Sequence, residues 1–247
     1  MPTVAELWRH PIKAHGRESL ESVTLTQGQT MPWDRRWAVA HKSSKADGTK
    51  WVPCANFNRG SIIASLMAIN AQSDMDTGTV TVRHPDRPDL SFDPDQDAQP
   101  FLDWIKPLMP ENRATSARLV RVPDRGMTDT DYPSVSLINL ASNETLATKM
   151  GLSLSILRWR GNIVMDGLEP WQEFDWVGRR LRIGTAELEV HERIQRCLAT
   201  TANPQTGIRD ADTLGALNSH FNHQDFGIYA TVVTSGDVKI GDAIEPI

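Results

Sequence analysis

One thiol stands in an unusual local setting late in the chain. Cys197 is one of only two cysteines and directly follows Arg196, and the turn Asn203-Pro204 comes shortly after it. A neighbouring guanidinium favours the thiolate, which is the form that attacks electrophiles and ligates metals. Taken alone, such a residue is more often a structural cysteine, because free cysteine is among the most buried residue types.

Several basic residues lie beside Trp, Pro or Gly rather than in runs of charge. Arginine presents a planar fork of donors that suits phosphate and carboxylate groups. If these segments converge in the fold, they form an anion pocket next to the thiol of Cys197. The basic residues in question are Lys13, Arg35, Arg36, Arg158, Arg160 and Arg196.

Other sites of chemistry find less support in the sequence. The only close histidine pair, His220 and His223, has no third metal ligand nearby. Asp129 and Asp131 lack the spacing of an EF-hand loop, so we interpret them first as loop-capping residues that could also line a site. The chain contains no Gly-x-Gly-x-x-Gly, P-loop or Gly-x-Ser-x-Gly motif.

Composition bounds the class of protein. The chain has 247 residues, of which 39% are hydrophobic and 23% charged, which is typical of a globular protein of one large or two intimate domains. No apolar run is long enough to span a membrane, and no secretory signal is visible. Two cysteines are too few for a disulfide framework or a four-cysteine iron–sulfur cluster, so we expect a cytoplasmic location. A net charge of -5 argues against a nucleic-acid partner.

Runs rich in β-branched residues predict many short strands. The stretch 85–97 is dense in Asp and Pro and predicts a loop, and 121–131 predicts a connection between two halves. Together with the few helices described next, these strands favour a mainly β, α+β fold built on a β-barrel. The predicted strands lie at 22–26, 36–40, 79–83, 228–234 and 238–244, with a hairpin at 181–190.

Three helices are expected to flank these strands. Apolar residues at helical spacing predict the first at 101–109. Ser142 is the predicted N-cap of the second, which Gly151 closes. Asp210 and Asp212 precede the third, where negative charge near the N-terminus is favourable.

Five segments of the chain form a recognisable set of motifs. They are His10-Pro11-Ile12-Lys13, Asp34-Arg35-Arg36-Trp37, Trp159-Arg160-Gly161-Asn162-Ile163-Val164, the run Arg196 to Gly207, and Phe226-Gly227-Ile228-Tyr229 with Gly236 and Ile240-Gly241-Asp242. These motifs resemble those of the MOSC family, named for the C-terminal domain of molybdenum cofactor sulfurase, and in particular its amidoxime-reducing-component branch. The resemblance covers nearly the whole chain and departs at Ala14, where the family has a serine.

The resemblance implies a MOSC β-barrel domain at 96–247 and an associated N-terminal β-barrel-like domain at 1–95, with a site shared between them. It also implies a molybdenum–molybdopterin cofactor whose metal is ligated by Cys197, a soft ligand suited to such a metal. The residues that would bind the cofactor are Lys13, Arg35, Ser142, Arg160, Asn162 and Arg196.

Two functions follow from the resemblance. In the first, the protein is a molybdenum-dependent oxidoreductase that reduces N-hydroxylated compounds by N–O cleavage, with Asp129 or Asp131 relaying a proton. Its electrons would come from a separate ferredoxin- or cytochrome-type donor protein. In the second, it is a sulfur carrier or cofactor-handling protein in which Cys197 bears a persulfide or binds the cofactor briefly.

Overall fold

A curled eight-stranded sheet forms the larger part of the molecule. The computed structural model describes residues 1–112 and 114–247. Over these residues the strands are β1 Thr3–Arg9, β2 Ile12–Lys13, β3 Glu18–Leu20, β4 Ser22–Leu25, β5 Trp37–His41, β6 Asn70–Asp74, β7 Thr79–His84, β8 Arg87–Phe92, β9 Ser116–Val120, β10 Val135–Asn139, β11 Ile163–Asp166, β12 Arg180–Ile183, β13 Ala186–Gln195, β14 Asp225–Thr234, β15 Gly236–Lys239 and β16 Ile244–Pro246.

Few helices accompany the strands, which confirms the predicted mainly β fold. The α-helices are α1 Gln99–Ile105, α2 Leu140–Met150 and α3 Thr213–Phe221. Short 3-10 helices occur at Cys54–Asn56, Ala64–Ala68, Lys106–Leu108, Ile156–Trp159, Gln172–Trp176 and Leu198–Thr201. No α-helix of the described residues is both long and apolar enough to cross a bilayer.

The large sheet joins the two ends of the chain. Its strand order is β16-β12-β13-β14-β10-β11-β1-β3, so the first strand pairs antiparallel with β11 from the second half. Leu137, Ile163 and Ile228 lie in three of its strands and are completely buried in its hydrophobic core. The predicted hairpin is β12 and β13, and the predicted terminal strands are β14 to β16.

Two three-stranded sheets, β2-β5-β9 and β6-β7-β8, make up most of the first half. Their core is aromatic, and the rings of Phe92 and Phe101 stack with centroids 4.8 Å apart. The predicted loop at 85–97 was wrong over Arg87–Phe92, which forms β8. Because β8 is the edge strand, Pro88 can sit in it without breaking a ladder hydrogen bond.

The helix expected near Ser142 begins earlier than predicted. Asn139 is the N-cap of α2, and its side chain accepts a hydrogen bond from the backbone of Ala141, so Ser142 as the cap was wrong. Asn and Ser are comparable caps, and the local pattern did not distinguish them. Gly151 closes the helix in a left-handed conformation, as predicted, and Asp212 caps α3.

Candidate functional site

A cavity of about 700 Å³ opens where segments from the two halves of the chain meet. Lys13 and Arg35 reach it from the first half, and Arg160, Arg196 and Cys197 reach it from the second. The four basic segments of the sequence therefore meet in one cavity, although Arg36 does not line it. Both predicted acidic residues, Asp129 and Asp131, also line it, as does Arg158.

Lys13 makes an ion pair at the edge of the cavity. Its ammonium donates to the carboxylate of Asp129 at 2.5 Å and to the backbone carbonyl of Met127 at 2.7 Å. The Asp129 side chain keeps 54% of its surface exposed towards the cavity. The surrounding protein disfavours its charge, but Lys13 outweighs this effect and the pKa of Asp129 lies below its ordinary value. Asp129 is therefore ionised at neutral pH.

A second ion pair lies deeper, between Arg35 and the fully buried Asp34. The Asp34 carboxylate also accepts from the backbone N–H of His10 at 2.8 Å. Burial would raise the pKa of Asp34, but the charge of Arg35 prevails and lowers it. Burial lowers the pKa of His10, so this ring is neutral. The second nitrogen arm of Arg35 donates to the carbonyl of Arg160 at 2.9 Å, which ties the two halves together.

Arg160 and Arg196 place guanidinium groups in the cavity without a carboxylate partner. Within the described residues, neither Arg160 nor Arg196 has a carboxylate within 4 Å, and Arg160 Nη1 is buried without any hydrogen-bond partner. Arg196 donates instead to the carbonyls of Phe226, at 2.8 Å, and Trp159, at 2.7 Å. Burial lowers the pKa of Arg160 to about 9 and that of Arg196 to about 10, and the charge of Arg35 adds to both effects. The cavity thus carries positive charge that no described side chain neutralises.

Backbone strain accompanies this charge. Ala14, Arg35 and Arg160 all line the cavity and all adopt left-handed conformations, with φ values of 64°, 50° and 50°. Such conformations cost about 1–3 kcal/mol for residues other than glycine and persist only when the surrounding structure imposes them. Their concentration in one cavity supports a functional role for it.

Cys197 is exposed and precedes the short helix Leu198–Thr201. Its carbonyl accepts from the backbone N–H and the hydroxyl of Thr200, at 3.2 and 3.1 Å. Gly207, at the end of this motif, has φ +71°, and a Cβ there would lie 2.6 Å from the Cα of Ser65. Thr200, Thr201, whose hydroxyl donates to the carbonyl of Leu198 at 2.8 Å, and the final glycine therefore fix the backbone that presents the thiol.

Two predicted cofactor-binding residues do not line the cavity. Ser142 is completely buried, and its hydroxyl donates to the carboxylate of Glu173 at 3.1 Å. Asn162 is also buried. Its side-chain oxygen accepts from the hydroxyl of Ser136 at 2.8 Å, and Ser136 does line the cavity. Asn162 therefore supports the wall from behind.

The structure adds residues that sequence reasoning did not assign to the site. Tyr229 lines the cavity, and burial followed by the charge of Asp129 raises its pKa, so its phenol keeps its proton. Its place in the Phe226-Gly227-Ile228-Tyr229 motif was an available signal. Trp51, Cys54 and Arg59 also line the cavity, from a loop with no local motif.

Histidine contributes little to this site. His223 lies 5.0 Å from the ring of Trp171, centroid to centroid, and so belongs to an aromatic cluster. Within 1–112 and 114–247, no group of three or more His, Cys, Asp or Glu side chains is arranged to hold a metal ion. Cys54 and Cys197 are both free thiols.

The donor set fits an anionic cofactor with its own metal. Arg160 Nη1 offers an unused donor, and the excess positive charge of Arg160 and Arg196 calls for an anion such as a phosphate. The exposed thiol of Cys197 lies in the same cavity and can supply one soft ligand to a metal.

Two family models together match most of the chain. Residues 124–245 match the model of the family described as MOSC domain, and residues 1–105 match that of the MOSC N-terminal beta barrel domain. Across its full length the chain is similar in fold to the YUAD protein from Bacillus subtilis, with a TM-score of 0.50 and 14% identity over 99% of this chain and 94% of that one.

Curated relatives match about half of the chain. Mitochondrial amidoxime reducing component 2 of Bos taurus is 31% identical over 46% of this chain and 38% of its own length. Molybdenum cofactor sulfurase of Caenorhabditis briggsae is 36% identical over 47% of this chain and 17% of its own length. The match therefore spans well under two thirds of either relative.

Proposed function

Because the chain belongs to the MOSC family, with a MOSC N-terminal barrel domain ahead of the MOSC domain, we propose that it is a molybdenum-cofactor oxidoreductase that reduces N-hydroxylated compounds. The observation that carries the proposal is the cavity itself. It combines an exposed thiol, Cys197, with two guanidinium groups that lack a carboxylate partner among the described residues. The similarity to an amidoxime reducing component supports the substrate class.

The chain's own residues would divide the work of holding the cofactor. Arg160 and Arg196 would pair with its anionic groups, and Lys13 and Arg35 would extend that positive wall. Cys197 would ligate the metal. When bound, the cofactor supplies the two electrons for N–O cleavage, which we propose come from a separate ferredoxin- or cytochrome-type protein.

Cleavage of an N–O bond to an amine and water also consumes two protons. Asp129 is held in the ion pair with Lys13, so a proton passing through it would disrupt that pair. Asp131 is exposed in the same cavity and has no ion-pair partner among the described residues. We therefore assign the proton relay to the carboxylate of Asp131, which can pass protons from solvent without breaking an ion pair.

The function is tested with protein purified from a molybdenum-replete host and a chemical reductant. The protein should reduce an aromatic amidoxime to the amidine, and Asp131→Asn should lower kcat about 100-fold, as loss of a general acid does. Asp124→Asn, an exposed carboxylate outside the cavity, is the matched control. A protein fully loaded with cofactor that leaves the amidoxime unchanged would contradict the proposal.

A carrier or cofactor-handling role is the second candidate. The exposure of Cys197 favours it, because a persulfide must be reachable by a partner, and the similarity to molybdenum cofactor sulfurase supports it. Mass spectrometry of the purified protein separates the two. Metal-free protein whose Cys197 carries one additional sulfur atom indicates the carrier, whereas retained molybdenum indicates the oxidoreductase.

A further inference from the structure

One arginine in the cavity takes no part in the proposed cofactor site. Within the described part of the chain, Arg59 has no carboxylate within 4 Å, and its Nε is buried without a partner. Its Nη1 lies 3.7 Å from the sulfur of Cys54, a weak acceptor. Arg59 therefore brings to the cavity a positive charge that the protein leaves without a counter-charge.

The backbone around Arg59 lies close to the segment that follows Cys197. A Cβ on the adjacent Gly60 would lie only 3.4 Å from the Cβ of Ala199. Arg209 crosses the same junction and donates to the carbonyl of Ser61 at 2.8 Å and to that of Leu198. Arg59 and Cys197 are thus held on adjoining parts of one cavity wall by a rigid connection.

Arg59 is distinct from the inner cations. Among the described residues it shares no hydrogen-bond partner with Lys13, Arg35, Arg160 or Arg196. Those four bond to one another's backbone, to acidic residues or to carbonyls of the sheet region, whereas Arg59 belongs to the loop after Cys54. Arg59 therefore belongs to a different hydrogen-bond network from the inner cluster.

An indole lines the same cavity as this charge. Trp51 is fixed from two sides, because its Nε1 donates to the carbonyl of Thr128 at 3.0 Å and the guanidinium carbon of Arg125 lies 5.4 Å from its ring centroid. Met67 adds further apolar surface to the same cavity. A planar, apolar ring would find in Trp51 a stacking partner within the same cavity.

We propose that Arg59 and Trp51 form a substrate subsite, so that the cavity takes N-hydroxylated compounds built on an aromatic ring that carries a carboxylate. The carboxylate pairs with Arg59, the ring packs on Trp51, and the N–O group points towards Cys197. This inference rests on the proposed oxidoreductase function and specifies its substrate class.

The test compares benzamidoxime with its para-carboxylated derivative on the cofactor-loaded protein. The carboxylated compound should have the lower KM. Arg59→Gln should raise that KM about tenfold or more, because a hydrogen bond to a charged group is lost. The KM of benzamidoxime should change less than twofold. Arg59→Lys, which keeps the charge but not the fork, should fall between. Arg83→Gln, on the exposed face of β7, is the matched control.

A second measurement does not depend on turnover. Calorimetry should detect binding of benzoate to the loaded protein and to Arg83→Gln, and at least tenfold weaker binding to Arg59→Gln. If neither amidoxime is reduced but this pattern holds, the oxidoreductase proposal fails while the subsite stands. If both are reduced and Arg59→Gln leaves their preference unchanged, the subsite is refuted. Loss of molybdenum from Arg59→Gln would also refute it, by assigning Arg59 to the cofactor.

Discussion

The buried pair of Asp34 and Arg35 offers a quantitative test of how the cavity is built. Asp34→Asn removes a buried charge while keeping an oxygen that can accept from the backbone of His10. Arg35 then joins Arg160 and Arg196 as a further cation without a carboxylate. Removing one partner of a buried pair costs about 3–5 kcal/mol, and we expect the lower end because Asn retains part of the hydrogen bonding.

Thermal unfolding of the metal-free protein measures this cost. For a chain of this size, 1 kcal/mol corresponds to roughly 2–4 °C in Tm, so Asp34→Asn should lower Tm by about 6–12 °C. Asp89→Asn breaks an ion pair whose Arg83 and Asp89 side chains are 44% and 62% exposed. Such exposed pairs contribute at most about 1 kcal/mol, so this control should move Tm by less than about 4 °C.

The stability lost in Asp34→Asn should also depend on pH. The folded state lowers the pKa of Asp34 below its ordinary value of 3.8, so its contribution to stability is present above that pH and is lost as the pH falls below it. The difference in unfolding free energy between wild type and Asp34→Asn should therefore shrink in acid. Equal Tm losses for Asp34→Asn and Asp89→Asn, or a difference that grows in acid, would refute the reasoning.

Three further predictions concern the cavity and the wall behind it. Arg160→Gln should raise the unfolding free energy of the metal-free protein by about 1 kcal/mol, because it removes a buried cation with an unsatisfied donor and loses only one hydrogen bond, to Gly16. The same substitution should lower the amount of cofactor that the purified protein retains. A loss of stability together with unchanged cofactor content would contradict this. Ser142→Ala should lower the unfolding free energy by about 1–3 kcal/mol and leave the molybdenum content unchanged, because the Ser142 hydroxyl donates to Glu173 outside the cavity. Loss of molybdenum without loss of stability would instead show that Ser142 binds the cofactor. Burial raises the pKa of Glu173, so its folded state favours the protonated form and wild-type stability should decline as pH rises through that pKa. In urea unfolding measured from pH 5 to 8, Glu173→Gln should make the unfolding free energy depend less on pH than it does in the wild type. An equal pH dependence of the two proteins would contradict this prediction.

Local motifs predicted those site residues whose backbone is fixed by their immediate neighbours. The Arg196-Cys197 run carries its own threonine bonds and its own glycine, and the structure brings it into one cavity with Lys13, Arg35 and Arg160. From the sequence alone, the convergence of these segments could be stated only as a condition. It depends on pairing between strands far apart in the chain, such as β1 with β11.

The remaining differences have non-local causes. The resemblance implied that Ser142 and Asn162 bind the cofactor, yet in the folded chain their polar side-chain atoms form hydrogen bonds with Glu173 and Ser136. Arg59 could not be predicted as a site residue, because in the sequence a single arginine in a loop looks the same as a solvated surface charge. The strand β8 was missed because its Asp and Pro content favours a loop, and only its edge position makes a strand tolerable.

The central claim is that Cys197 retains molybdenum in this cavity. The direct measurement is the molybdenum and pterin content per chain of the wild type, Cys197→Ser and Cys54→Ser, each purified from a molybdenum-replete host. Cys54 is the matched control, being the other free thiol of the same cavity. We predict a loaded wild type and a loaded Cys54→Ser, and a folded Cys197→Ser that has lost its metal. Unchanged molybdenum in Cys197→Ser would contradict the account.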